Sequence, residues 1–62
     1  MIAKQNNKIA LDVRQGSFCI YVKETLECLS SGDVESSLFE GDYEKMSDFA
    51  QSKFEELAKA HQ

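Results

Sequence analysis

The chain has 62 residues, of which 42% are hydrophobic, and its formal net charge is −4 at pH 7. A chain of this length forms one small domain with a limited core, which leaves little room for the deep pocket that most enzyme sites require. The excess of negative charge disfavours direct binding of nucleic acids and of anionic membranes, because their phosphates repel it.

We therefore treat residues 1–62 as a single small domain. Residues 1–7 are expected to be either flexible or an added edge strand, and residues 60–62 are expected to fray. The first seven residues lack the apolar run of a signal peptide, and no stretch reaches the ~18 consecutive apolar residues that cross a bilayer. The chain has only two cysteines, whereas small secreted domains usually carry several disulfides. These features predict a cytoplasmic protein.

Residues 8–23 alternate between apolar and polar positions, which predicts two strands. The apolar positions form two sets of three, Ile9, Leu11 and Val13, then Phe18, Ile20 and Val22. A two-residue turn at Gln15-Gly16 pairs the two sets in reverse order, so all six side chains point to the same face of an antiparallel hairpin.

The middle of the chain has weaker patterns. Residues 24–31 are compatible with a third strand or a short helix, and the spacing of Leu26 and Leu29 favours the helix. Asp33 is then predicted to be the N-cap of a second short helical segment that ends at Gly41.

A final helix is predicted from about Asp42 to about Lys59, because strong helix formers occur throughout this segment. Its apolar residues fall within one arc of the helix and are expected to face the hairpin: Tyr43, Met46, Ala50, Phe54, Leu57 and Ala58. The predicted class is α+β, a two-stranded antiparallel β-hairpin followed by short helical segments and a C-terminal amphipathic helix packed on one face, in ββα(α)α order. Since an isolated two-stranded sheet is barely stable, either the N-terminal segment adds a strand or two molecules join ribbon edges.

The sequence has none of the residue patterns that carry catalysis or bind a cofactor. The one histidine, His61, is next to the last residue, so we expect no metal site and no catalytic triad. Cys19 and Cys28 are nine residues apart and do not form a CxxC pair. They are interpreted as free packing thiols, with a redox or disulfide role as the alternative. We expect a protein that is not an enzyme and that uses no cofactor.

Binding is the remaining function class, and the acidic residues suggest where it occurs. Residues 32–62 contain eight acidic residues and three lysines. On the last helix, Glu44, Asp48 and Glu55 lie on one side, and such a row of carboxylates could mimic nucleic-acid phosphates in a basic groove. Phe49 lies outside the apolar arc and next to Lys53, and an exposed aromatic residue beside charges is typical of a binding hot spot. The residues predicted to contact a partner are Glu40, Asp42, Glu44, Asp48, Glu55, Phe39 and Phe49. The alternatives are an acidic face that only aids solubility and a Phe49 ring that packs on Phe39 at the rim of the core.

The predicted function is that of a small acidic protein-binding module, a regulator or inhibitor that docks on a basic, possibly nucleic-acid-binding, groove of a larger protein. In size, charge and lack of motifs, the chain resembles the small acidic accessory proteins with which phages and plasmids inhibit or redirect host proteins. The alternative is a self-assembling structural subunit, a homodimer or larger ring. It would use the ribbon edges and an outer face formed by Ala10, Cys19 and Tyr21.

Overall fold

In the computed structural model, which describes residues 1–61, a four-stranded antiparallel sheet is followed by one helix. The elements are β1 (Ile2–Gln5), β2 (Ile9–Arg14), β3 (Ser17–Val22), β4 (Cys28–Asp33) and α1 (Tyr43–Ala60). The strands lie in the sheet in chain order, and α1 packs across β2, β3 and β4 on one face. The predicted two-stranded hairpin with several helices is therefore wrong.

The central hairpin has the predicted register. Val13 pairs with Phe18, Leu11 with Ile20 and Ile9 with Val22. The turn between the strands is Gln15-Gly16, and its positive φ is confined to Gly16, at 92°. Glycine reaches this region without a steric penalty, which is why a Gln-Gly pair suffices here.

Strand β1 covers one edge of the hairpin. Ile2–Gln5 pair antiparallel with β2, and the register shifts at a bulge between Ile2 and Lys4. This strand is one of the two alternatives considered for the N-terminal segment. Its hydrogen bonds to β2 supply the additional pairing that a lone hairpin lacks.

The predicted helix in residues 24–31 is wrong, because Cys28–Asp33 form β4. The chain reverses after Val22 through a turn in which Leu26 has a φ of 63° and donates its N–H to the Val22 carbonyl at 2.6 Å. The helical spacing of Leu26 and Leu29 did not decide the structure of this segment. The open edge of β3 offers a row of backbone hydrogen bonds that a short helix over residues 24–31 would leave unused.

The predicted short helix after Asp33 is also wrong, since residues 34–41 form a series of turns. The Asp33 carboxylate accepts a hydrogen bond from the Glu35 N–H at 2.9 Å, but this bond stabilises a turn and not a helix. The segment closes when the Gly41 N–H donates to the Val34 carbonyl at 2.8 Å, with Gly41 at a φ of 77°. These turns bring Phe39 into the core, where it is 3% exposed.

The core lies between α1 and the inner face of the sheet. Its buried members come from β2, β3, the turn segment and α1: Ile9, Leu11, Val13, Phe18, Ile20, Phe39, Met46, Ala50 and Phe54. Leu57 and Ala58 pack against this cluster, whereas Tyr43, expected in the same arc, is 48% exposed. The helix therefore packs with the predicted face inward, apart from its first residue.

The C-terminal end of the helix is hydrogen-bonded to the turn between β1 and β2. Ala60 is the last residue of α1, and the His61 carbonyl accepts a hydrogen bond from the Asn6 side chain at 3.2 Å. Of residues 60–62, which were expected to fray, Gln62 lies outside the described residues. Within residues 1–61, α1 is the only helix, and it does not have the apolar length needed to cross a membrane.

Candidate functional site

One side of α1 carries the acidic stripe, which we define as Glu44, Asp48 and Glu55. All three side chains are exposed. The Glu55 carboxylate lies 3.3 Å from the Lys4 ammonium of β1. Glu44 and Asp48 have no basic group within 4.0 Å among residues 1–61. The stripe is therefore neutralised at its C-terminal end only.

The two acidic residues just before the helix have local roles. Asp42 is the N-cap, and its carboxylate accepts the N–H groups of Glu44 and Lys45 at 2.9 and 3.3 Å. Glu40 has a φ of 51° and lies 3.7 Å from the Lys45 ammonium. Both residues remain exposed, but neither belongs to the row formed by Glu44 and Asp48.

Phe49 lies on the other side of α1 and is 42% exposed. Its ring centroid is 6.0 Å from that of Phe18 and 5.3 Å from that of Phe39, with the rings tilted or edge to face. These are the preferred geometries of aromatic pairs. Phe49 thus packs at the rim of the core, and the buried Phe39 ring cannot reach a partner in the folded chain.

The structure does not bring the acidic stripe and Phe49 together. At roughly 100° per residue, Phe49 is displaced by about 100–140° from Asp48 and Glu44 around the helix axis. The contacts agree, since Glu55 reaches β1 while Phe49 packs on β3. The single acidic and aromatic surface expected from the sequence is two surfaces on opposite flanks of α1.

The outer face of the sheet, away from α1, contains a hollow of about 460 Å³. It is lined by Asp12, Arg14, Ser17, Phe18, Cys19, Tyr21 and Leu26. The Asp12 carboxylate is 2.8 Å from the amino group of Met1 and 3.3 Å from the Arg14 guanidinium. The hydrogen bond from the Met1 ammonium, and then that from Arg14, hold the pKa of Asp12 below its usual value.

A pair of thiols lies at the edge of this hollow. The Sγ atoms of Cys19 and Cys28 are 3.3 Å apart, and both residues are free cysteines. Partial burial, and next the hydrogen bond with Cys28, raise the pKa of the Cys19 thiol to about 11. This contact could not be predicted from the sequence, because it is the pairing of β3 with β4 that brings two cysteines nine residues apart together. Within residues 1–61, no three His, Cys, Asp or Glu side chains lie close enough to hold a metal ion.

The other residues expected on the outer face differ in accessibility. Tyr21 is half-buried and pairs across the sheet with both Ala10 and Cys28. Ala10 is fully buried, so it offers no surface to a second molecule. Leu26, which lines the hollow, is an accessible apolar side chain at this face and is 71% exposed.

Comparisons of this chain with models of protein families, with curated proteins and with solved structures gave no match.

Proposed function

We propose that this chain is a non-enzymatic protein-binding module, a regulator or inhibitor that docks the acidic stripe of α1 on a basic groove of a larger protein. The observation that carries the proposal is the pair Glu44 and Asp48. Both are exposed, and neither has a cationic partner within residues 1–61. Residues one turn apart on a helix have Cβ atoms ~5–6 Å apart, so the two carboxylates form a closely spaced row.

The character of the partner follows from this charge pattern. A row of carboxylates on a packed helix presents fixed negative charge, which complements grooves that bind polyanions such as nucleic acids. The net charge of −4 adds a long-range attraction to such a groove. Direct binding of nucleic acid is not part of the proposal, because the same charge opposes it.

The proposal changes the set of partner-binding residues. Glu44, Asp48 and Glu55 remain, whereas Asp42 caps the helix and Phe39 is buried in the core. Phe49 belongs to the opposite flank and is left out of the docking surface. The proposal also places the protein in the cytoplasm, a reducing compartment, because small secreted domains usually carry several disulfides and this chain has only two cysteines.

Charge reversal with a matched control tests the proposal. Glu44→Lys with Asp48→Lys changes the net charge as much as Glu24→Lys with Glu27→Lys, two exposed acids in the β3–β4 turn. The partner is first obtained by affinity capture from a host-cell lysate, and association rates are then measured at low and high salt. We expect the helix variant to associate at least ~10-fold more slowly at low salt, with the difference shrinking at high salt, because rim charges act mainly on association.

Two results would contradict the docking surface. The first is an equal decrease of the association rate in both double variants, which would mean that only the net charge of the protein matters and not the position of the stripe. The second is an association rate that does not depend on salt. In either case the acidic stripe would serve solubility rather than recognition.

A second candidate, a self-assembling subunit, is supported by the free edge of β4. This strand ends the sheet on one side, and its sequence CLSSGD has no lysine or proline to discourage pairing with another strand. Leu26 adds an exposed apolar side chain on the outer face. Light scattering at micromolar concentration distinguishes the candidates, because a strictly monomeric chain would exclude self-assembly.

A further inference from the structure

The β3–β4 pairing places Cys19 and Cys28 where the two sulfurs can bond. Their Sγ atoms are 3.3 Å apart, while a disulfide bond is ~2.05 Å long, so the sulfurs need to approach by only ~1.3 Å. Rotation of the exposed Cys28 side chain can supply much of this movement.

A bulge in β4 creates this proximity. Ile20 pairs with Ser30, and without a register shift Cys28 would lie opposite Val22, whose side chain faces α1. The shift omits Leu29 and pairs Cys28 with Tyr21 instead. Because side chains alternate between the faces of a strand, the bulge turns Cys28 to the outer face, where Cys19 lies.

We propose that Cys19 and Cys28 are a modification site, a dithiol that a hydroperoxide oxidises to an intramolecular disulfide and that an external dithiol reduces back to two thiols by thiol–disulfide exchange. The exposed Cys28 reacts first: its thiolate sulfur bonds to one peroxide oxygen, the O–O bond breaks, and the departing hydroxide takes a proton to form water. The Cys19 sulfur then bonds to the Cys28 sulfur, and the S–O bond breaks to release a second water. The two thiols lose two electrons, which reduce one hydrogen peroxide to two waters.

The order of the two thiols follows from their surroundings. Cys28 is exposed, whereas Cys19 is partly buried. Burial raises the pKa of the Cys19 thiol to about 11, so this thiol stays protonated at neutral pH. A thiol reacts with peroxide as its thiolate, so the first attack falls to Cys28. The disulfide would link β3 covalently to β4 beside the hollow lined by Asp12, Arg14 and Leu26. It would thereby change the shape of the outer face of the sheet. The acidic stripe on α1 does not take part.

Mass spectrometry of the whole chain tests the proposal. Reduced protein is treated with one equivalent of hydrogen peroxide, in buffer and in denaturant, and the products are mapped on peptides. We expect the folded chain to lose two hydrogens, to remain monomeric and to recover both thiols when dithiothreitol is added. We also expect the disulfide to form at least ~10-fold faster in the folded chain than in the denatured chain, because folding holds the two sulfurs close together.

Cys19→Ser and Cys28→Ser are the matched variants. Cys19→Ser should accumulate a sulfenic acid on Cys28 that dimedone traps, whereas the unmodified sequence should give little adduct. The proposal is overturned if the folded unmodified chain gives Cys28 sulfenic or sulfinic acid with Cys19 still free. Closure no faster in the folded than in the denatured chain would overturn it as well. Both decisive results come from the unmodified chain, so they do not depend on the folding of the variants.

Discussion

Gly32 shows how a single position can depend on a neighbouring strand. It pairs with Phe18, and a Cβ atom at position 32 would lie 2.5 Å from Cε1 of the Phe18 ring. Phe18 is 3% exposed and held between Phe39 and Phe49, so its ring has little freedom to move aside. Gly32 is therefore a contact residue within β4.

We expect Gly32→Ala to lower the free energy of unfolding by ~1–3 kcal/mol, the usual effect of overpacking a core. Urea denaturation followed by circular dichroism measures the change. Ser31→Ala is the matched control, because Ser31 is exposed on the same strand. If both variants unfold at the same urea concentration, the Phe18 ring does not restrict position 32.

Cys19 provides a prediction about pH. Folding raises its pKa from the ordinary value of 9.0 to about 11, so above pH 9 the unfolded chain loses this proton first. Stability contributed by the neutral thiol is therefore complete below pH 9 and falls as the pH rises toward 11. Urea midpoints measured across this range should fall less in Cys19→Ser than in the unmodified chain, and equal slopes would contradict the prediction.

At the scale of elements, the Asp42 side chain defines the N-terminus of α1. The Asp42 carboxylate accepts two of the N–H groups that the first turn of a helix leaves without partners. Its φ of −91° and ψ of 108° are those of an extended N-cap residue. The sequence predicted that the helix begins near Asp42, and the structure adds that this residue is its N-cap.

We expect Asp42→Ala to reduce the free energy of unfolding by about 1 kcal/mol, the typical loss of an N-cap. Asp48→Ala removes a carboxylate of the same helix whose side chain has no hydrogen bond within residues 1–61, and it should change stability much less. Thermal unfolding of both variants measures the difference. An equal loss in the two variants would mean that Asp42 acts through its charge rather than its hydrogen bonds.

The elements that the sequence predicts correctly are those whose signal is local. The alternation in β2 and β3 fixes their register, and the apolar arc of α1 identifies the residues that it buries, Met46, Ala50 and Phe54. Strand β4 has no such alternation, because Ser30 and Gly32 occupy inward positions that a strand usually fills with apolar residues. Pairing with β3, rather than the sequence of β4 itself, makes this segment a strand.

At the scale of the whole molecule, the core is small and each member carries a large share of the stability. Met46, in the first turns of α1, is fully buried. Domains typically have ~0.05–0.15 kcal/mol of stability per residue, which for this length corresponds to ~3–9 kcal/mol. One large cavity can therefore remove much of the total.

We expect Met46→Ala to lose ~2–5 kcal/mol and to leave a substantial unfolded population at room temperature. Met46→Leu, which nearly conserves volume, should lose less than ~1.5 kcal/mol. Thermal unfolding and one-dimensional NMR of the methyl region distinguish the two. An alanine variant as stable as the unmodified chain would show that the Met46 side chain is not essential to the core.

The sequence by itself determined the hairpin register, the start and inward face of α1, and the acidic character of its exposed side, because each depends on the residues within one segment. Only the tertiary structure decided that residues 2–5 and 28–33 become strands, that Phe39 is buried, and that Phe49 packs on Phe18 and Phe39. It also brought the two thiols together. These features depend on contacts between segments distant in the chain, and such contacts leave no periodic signal in the residues that make them.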